Sequence, residues 1–250
     1  NEAFFGTLHQ LAAEKGCLLS TECVAPTMMS DGLRHYAISD LPMGEFWLDS
    51  PTHDKPNDMF DAVSGAHIYG KNIVQAEGFT QLRALWKEHP GMLKTLGDYN
   101  LAFGMNKLFF HVFCLHPFPD KYPGMTLDGI GLYMHGSQTW WPYAKEWVDY
   151  FERCQTMLQA GQSMRDIAVF TGENLPSRSV LPHQLVKSLP GLFGQERVAS
   201  EAKRQANEGQ PTHKTSVGVV AAKNMVTADL WVDPLRGYQY DCINRDALIR

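Results

Sequence analysis

The segment Lys107-Leu-Phe-Phe-His-Val-Phe-Cys-Leu-His116 carries apolar side chains on both faces of an extended chain. Such a strand belongs in a parallel sheet whose two faces are both covered. The rest of the sequence fits that plan. Residues 5–15 have helical spacing, with Phe5, Leu8, Leu11 and Ala12 on one face and Gly16 as the stop. Cys17 to Val24 reads as a short buried strand, Met43 to Trp47 as a second, and Asn72 to Thr80 as a third. Residues 57–69 and 90–104 read as helices, the latter ended by Gly104. Between Thr139 and Gln159, Tyr143, Trp147, Tyr150, Phe151, Cys154, Met157 and Leu158 recur at helical spacing, and Gly161 stands at the C-cap position.

Strands alternating with helices make an α/β protein with a parallel sheet. Four such units precede residue 162, and a complete eight-fold barrel takes about 250 residues. Residues 1–162 are therefore expected to form the C-terminal half of a (β/α)8 TIM-type barrel. Residues 163–250 are expected to begin a following α/β domain, with a strand at Asp166–Phe170, a long polar stretch over 174–215 and a further strand at Ser216–Val220. The chain opens on a helix and stops at Asp246-Ala-Leu-Ile-Arg250, inside another element, so a longer protein is expected.

Composition excludes several classes. Hydrophobic residues make up 44% and charged residues 20%, enough to build a core. A net charge of −5 offers no basic surface for nucleic acid. No apolar run approaches the roughly 20 residues of a membrane helix. Five cysteines without a CxxC pair read as free thiols and leave the compartment open. HExxH and GxSxG are absent. Gly65-Ala-His-Ile-Tyr-Gly-Lys-Asn72 departs from a phosphate loop at Asn72 and precedes a strand rather than following one. His67, on a helix, reads as packing.

In a barrel, chemistry sits where the strands end. Three glutamates meet that condition: Glu22, Glu45 and Glu77, each among apolar or small neighbours. A carboxylate in such surroundings is costly unless paired or functional. Trp47, Phe79, Trp140 and Trp141 are candidates to stack on a sugar ring, and His111 and His116 to hydrogen-bond its hydroxyls. Two carboxylates flanking a pocket are what glycoside hydrolysis requires, one as acid and the other as base or nucleophile.

The residues Asp40-Leu-Pro-Met-Gly-Glu-Phe-Trp47, Tyr69 to Thr80, Phe110 to Pro117, Pro123-Gly-Met-Thr126 and Thr139-Trp-Trp141 resemble the α-L-rhamnosidases of glycoside hydrolase family 106. So do Arg153 to Gly161, Gly172-Glu173 and Gly237 to Asp241. The resemblance implies a (β/α)8 catalytic domain, inversion at the anomeric carbon, a calcium ion near the substrate and a rhamnose-containing carbohydrate as substrate. By position it makes Glu77 the general base and Glu45 a second active-site carboxylate and a candidate calcium ligand, with no full ligand set assigned. The general acid is expected from an earlier part of the barrel, so these residues alone are expected to be inactive. Gly78 departs from the pattern, standing where a larger residue is common.

Two other readings stay open here: a retaining glycosidase of β-galactosidase type, and a non-catalytic carbohydrate-binding barrel. Carboxyl separations of about 5–5.5 Å mark retaining enzymes and about 6.5–9.5 Å inverting ones.

Overall fold

A computed structural model describes all residues except 1, 25–29, 49–55, 83, 183, 186–193, 197, 200–234 and 236. Ser216–Val220, and much of the polar stretch before it, lie outside the described residues. The described elements run α1 (Thr7–Glu14), β1 (Ser20–Glu22), α2 (Gly32–His35), β2 (Leu41–Trp47), α3 (Pro56–Ile68), β3 (Gln75–Thr80), α4 (Pro90–Phe103), β4 (Lys107–Phe110), α5 (Ala144–Ala160), β5 (Ile167–Phe170), β6 (Tyr240–Ile243) and α6 (Arg245–Ile249).

Strands β1 to β4 form one parallel sheet in sequence order. Side chains of successive residues alternate between its faces. The face of Gly44, Phe46, Ala76, Gly78, Leu108 and Phe110 packs against helices. A Cβ on Gly44 would lie 2.7 Å from Met59 Sδ of α3, and the Phe110 and Phe151 rings meet edge to face at 5.8 Å. Gly104, at φ 132°, ends α4 in a conformation that favours glycine, as the sequence predicted.

Two expectations need correction. The strand predicted over Lys107–His116 ends at Phe110. There the backbone turns to exchange hydrogen bonds with Leu132: Leu132 N–H donates to His111 O at 2.7 Å, and Val112 N–H to Leu132 O at 2.9 Å. The segment is also not covered on both faces, since Phe109, Phe113 and Leu115 are 45%, 60% and 76% exposed. Helix α1 is real, but its apolar stripe is bare, with Leu8 and Leu11 both exposed.

The pair β5 and β6, also parallel, packs on α3. Tyr240 meets Phe60 edge to face at 5.2 Å, and Cys242 N–H donates to Ser64 Oγ at 3.0 Å. His67, expected to pack, pairs with Asp241 at 2.8 Å. Nearby, the Arg178 guanidinium bonds both Asp58 and the fully buried Asp61. Asp61 also accepts the Ser179 N–H at 2.7 Å. All five cysteines are free thiols, and Cys23 and Cys242 are fully buried.

Gly78 is explained by its surroundings, because an added Cβ would lie 2.4 Å from Leu108 Cδ1 and 2.5 Å from Phe46 Cζ. Gly78→Ala is therefore expected to destabilise the protein by about 1–3 kcal/mol through overpacking. A denaturant melt of the complete protein reads this, and an unchanged midpoint would show that the two side chains can move aside.

Candidate active site

The sheet face opposite the helices is polar. Glu22, Met43, Gln75 and Lys107 lie in register across β1 to β4, and one pleat further along Glu45, Glu77 and Phe109 do the same. Adjacent strands run about 4.8 Å apart. Glu45 and Glu77 are thus neighbours on one face near the carboxyl ends of β2 and β3, and Glu22 lies one pleat below. Burial pushes the Glu22 carboxyl up to about 8, reinforced by the charges of Glu45 and Glu77. Its Oε1 is buried and finds no hydrogen-bond partner among the described residues. Trp47, two residues beyond Glu45, shares this face and is half-buried.

Glu77 is held by its own strand. The register shifts between Phe46 and Trp47, so that Phe46 faces Gly78 while Trp47 faces Thr80. This bulge leaves Phe79 as the extra residue, at φ 64°. Thr80 thereby comes beside Glu77, and its hydroxyl donates to Glu77 Oε1 at 2.6 Å. His111, just past β4, brings Nδ1 within 3.8 Å of the same oxygen.

Phe79 corrects the sequence reading. Strict alternation puts it on the glutamate face, but the bulge turns it into the core. There it is fully buried, 5.0 Å from the Phe46 ring and 6.2 Å from that of Phe151. It has no face open to a sugar.

The structure brings Glu22, Glu45, Glu77, Trp47 and His111 together and leaves His116, Trp140 and Trp141 in the segment between β4 and α5. His116 lies six residues beyond the end of β4, with its ring 5.0 Å from that of His135. Trp140 donates its indole N–H to Glu88 O at 2.8 Å. Trp141 stacks on Phe113 at 6.3 Å. Sequence reasoning missed Thr80, Glu88 and His135. For Thr80 the one signal was Gly78 two residues before it, while the other two sit in loops with no motif. A cavity of about 560 Å³ lies elsewhere, at the opposite end of the sheet beside Lys71, Asn72 and Asn106.

Neighbouring carboxylates at the strand ends of a parallel α/β sheet are the equipment of carbohydrate-cleaving enzymes. The family model described as alpha-L-rhamnosidase, glycoside hydrolase family 106, matches residues 1–211, and the chain belongs to that family. The solved rhamnosidase from Novosphingobium sp. PP1Y is similar, at 28% identity and a TM-score of 0.70, over 99% of this chain and 20% of that one. A Formosa agariphila protein provisionally named a beta-glucuronidase is 38% identical over 152 residues, 60% of this chain and 13% of that protein. The chain thus spans a minor part of the relatives it matches.

The raised Glu22 carboxyl has a consequence for stability. The fold prefers its protonated form, so it costs nothing below the ordinary carboxyl range near 4.5, and the penalty grows as pH rises towards about 8. Glu22→Gln is expected to melt higher than the native protein at pH 8.5 and to converge with it at pH 4. A melting difference that does not change with pH would contradict this.

Proposed function

We propose that this chain carries the water-activating side of an inverting glycosidase that releases terminal α-L-rhamnose from polysaccharides or glycosides. The observation that carries the reading is the in-register pair Glu45 and Glu77 on one sheet face, opposite the helices. Glu77 is the general base. Thr80 occupies its Oε1, leaving Oε2 to take the proton from a water on the face of the sugar opposite the leaving group. His111, beyond hydrogen-bond distance at 3.8 Å, flanks the carboxylate. Glu45 is the second active-site carboxylate, Glu22 and Trp47 contact the sugar, and the general acid comes from outside these residues.

The four parallel strands in sequence order support reading residues 1–162 as the later half of a (β/α)8 barrel, with a following α/β unit over 163–250. Calcium belongs to this reading only in part. Among the described residues no three His, Cys, Asp or Glu side chains converge to hold a metal ion. Glu45 would supply carboxylate oxygen to a cage completed by other ligands, and no step here is routed through the ion.

In the complete enzyme, Glu77→Gln is expected to lower kcat by orders of magnitude, to about 1% or less, while the sugar still binds. Proton NMR of the first-released sugar is expected to show the β anomer of L-rhamnose. Unchanged kcat would remove Glu77 from the mechanism. First release of the α anomer would favour a retaining enzyme, and cleavage of β-glucuronides but not rhamnosides would overturn the substrate.

A further inference from the structure

The loop after β3 presents a tryptophan in a conformation that costs energy. Trp86 has φ 65°, a left-handed backbone that bulky side chains rarely adopt, at a cost on the order of 1–3 kcal/mol. Such an outlier persists only where its surroundings fix it, and here they do. The fully buried Glu88 carboxylate accepts the Leu85 N–H through both oxygens at 3.3 Å and the Gln81 amide at 3.2 Å. Ala84 N–H donates to Gly129 O at 3.0 Å, tying the loop to its neighbour.

The indole so held stays partly open to solvent. Its ring lies 4.5 Å from that of Tyr133 and meets His135 edge-on at 5.5 Å. His135 is 3% exposed, and its Nδ1 accepts the Ser137 N–H at 3.0 Å. The proton is therefore on Nε2, which finds no acceptor among the described residues. A buried donor without an acceptor is costly and points to a missing polar partner. The cluster stands at the mouth of the site. Gly131 N–H donates to the O of Gln81, the residue after β3, at 2.6 Å, and Leu132 N–H donates to the O of His111.

We propose that Trp86, with Tyr133 and His135, forms the subsite for the part of the substrate beyond the cleaved bond. It receives a ring with an apolar face and a hydroxyl, the face stacking on the indole and the hydroxyl accepting from His135. A second sugar and an aryl aglycone share that chemistry. The inference rests on the rhamnosidase reading above.

The test uses the complete enzyme and three substrates: α-L-rhamnosyl fluoride, which has no ring on the leaving side, an aryl α-L-rhamnoside, and a rhamnosyl disaccharide. Trp86→Ala is expected to leave kcat/KM for the fluoride within twofold. It is expected to raise KM at least tenfold for one or both ring-bearing substrates, and the more affected one identifies the ring the subsite takes. Trp86→Phe, which keeps a ring, is expected to recover most of that loss. An equal loss on all three substrates would mark Trp86 as structural and overturn the inference, as would no loss on any of them. An unaltered enzyme inactive on all three would overturn the rhamnosidase reading, and this inference with it.

Discussion

The pleat of the four-stranded sheet is the constraint from which the candidate site follows. Phe46, Ala76, Gly78, Leu108 and Phe110 must meet the helices, because burial of apolar surface is what holds α3, α4 and α5 against the strands. With one face committed, the opposite face belongs to the residues between them, and those are Glu45, Glu77 and Phe109. A slip of one residue would bury the glutamates and expose the core, so the register that makes the fold stable also aligns the carboxylates. Burial, and then the charges of Glu45 and Glu77, leave Glu22 with a carboxyl that ionises only with difficulty.

Much of this was legible in the sequence, because periodicity reports which face a residue takes. The α/β order, the positions of β2, β3, α3, α4 and α5, and the gathering of three strand-end glutamates all follow from spacing alone. Phe79 was misread for a physical reason. A bulge inserts one residue into β3, which sends Phe79 to the core and brings Thr80 beside Glu77. Nothing in Glu-Gly-Phe-Thr announces that shift except Gly78, whose missing side chain admits the Phe46 ring. The ten-residue apolar run after Asn106 misled in the other direction. Its hydrophobicity suggested a long covered strand, yet the backbone leaves the sheet after four residues to pair with a loop twenty residues away. Pairing over that distance has no local signal.

The same limit applies to the polar network around α3. Asp58, Asp61 and Ser64 lie in a helix whose buried face is otherwise apolar, which as sequence alone is an unexplained cost. Their partners, Arg178, Ser179 and Cys242, lie more than a hundred residues away. Once assembled, the network fixes Arg178 and Ser179 on α3, because each buried carboxylate would be stranded without them, and Cys242 of β6 joins it through Ser64. It also ties the fold of the later residues to the helix that backs Glu45.

The site therefore divides its tasks according to how firmly each part is held. The carboxylates stand on strands, where register leaves them little freedom, and reaction chemistry needs that precision. The proposed recognition of what lies beyond the bond falls to loops, which tolerate change but must be fixed by other means. In the loop after β3 the means is a buried carboxylate, Glu88, that takes up the backbone N–H of Leu85 and holds Trp86 where an unrestrained chain would not leave it. If strain of this kind served only packing, an ordinary backbone conformation with a smaller side chain would do as well at lower cost. Its presence in the loop after β3, beside an imidazole donor without an acceptor among the described residues, is what the proposed subsite accounts for.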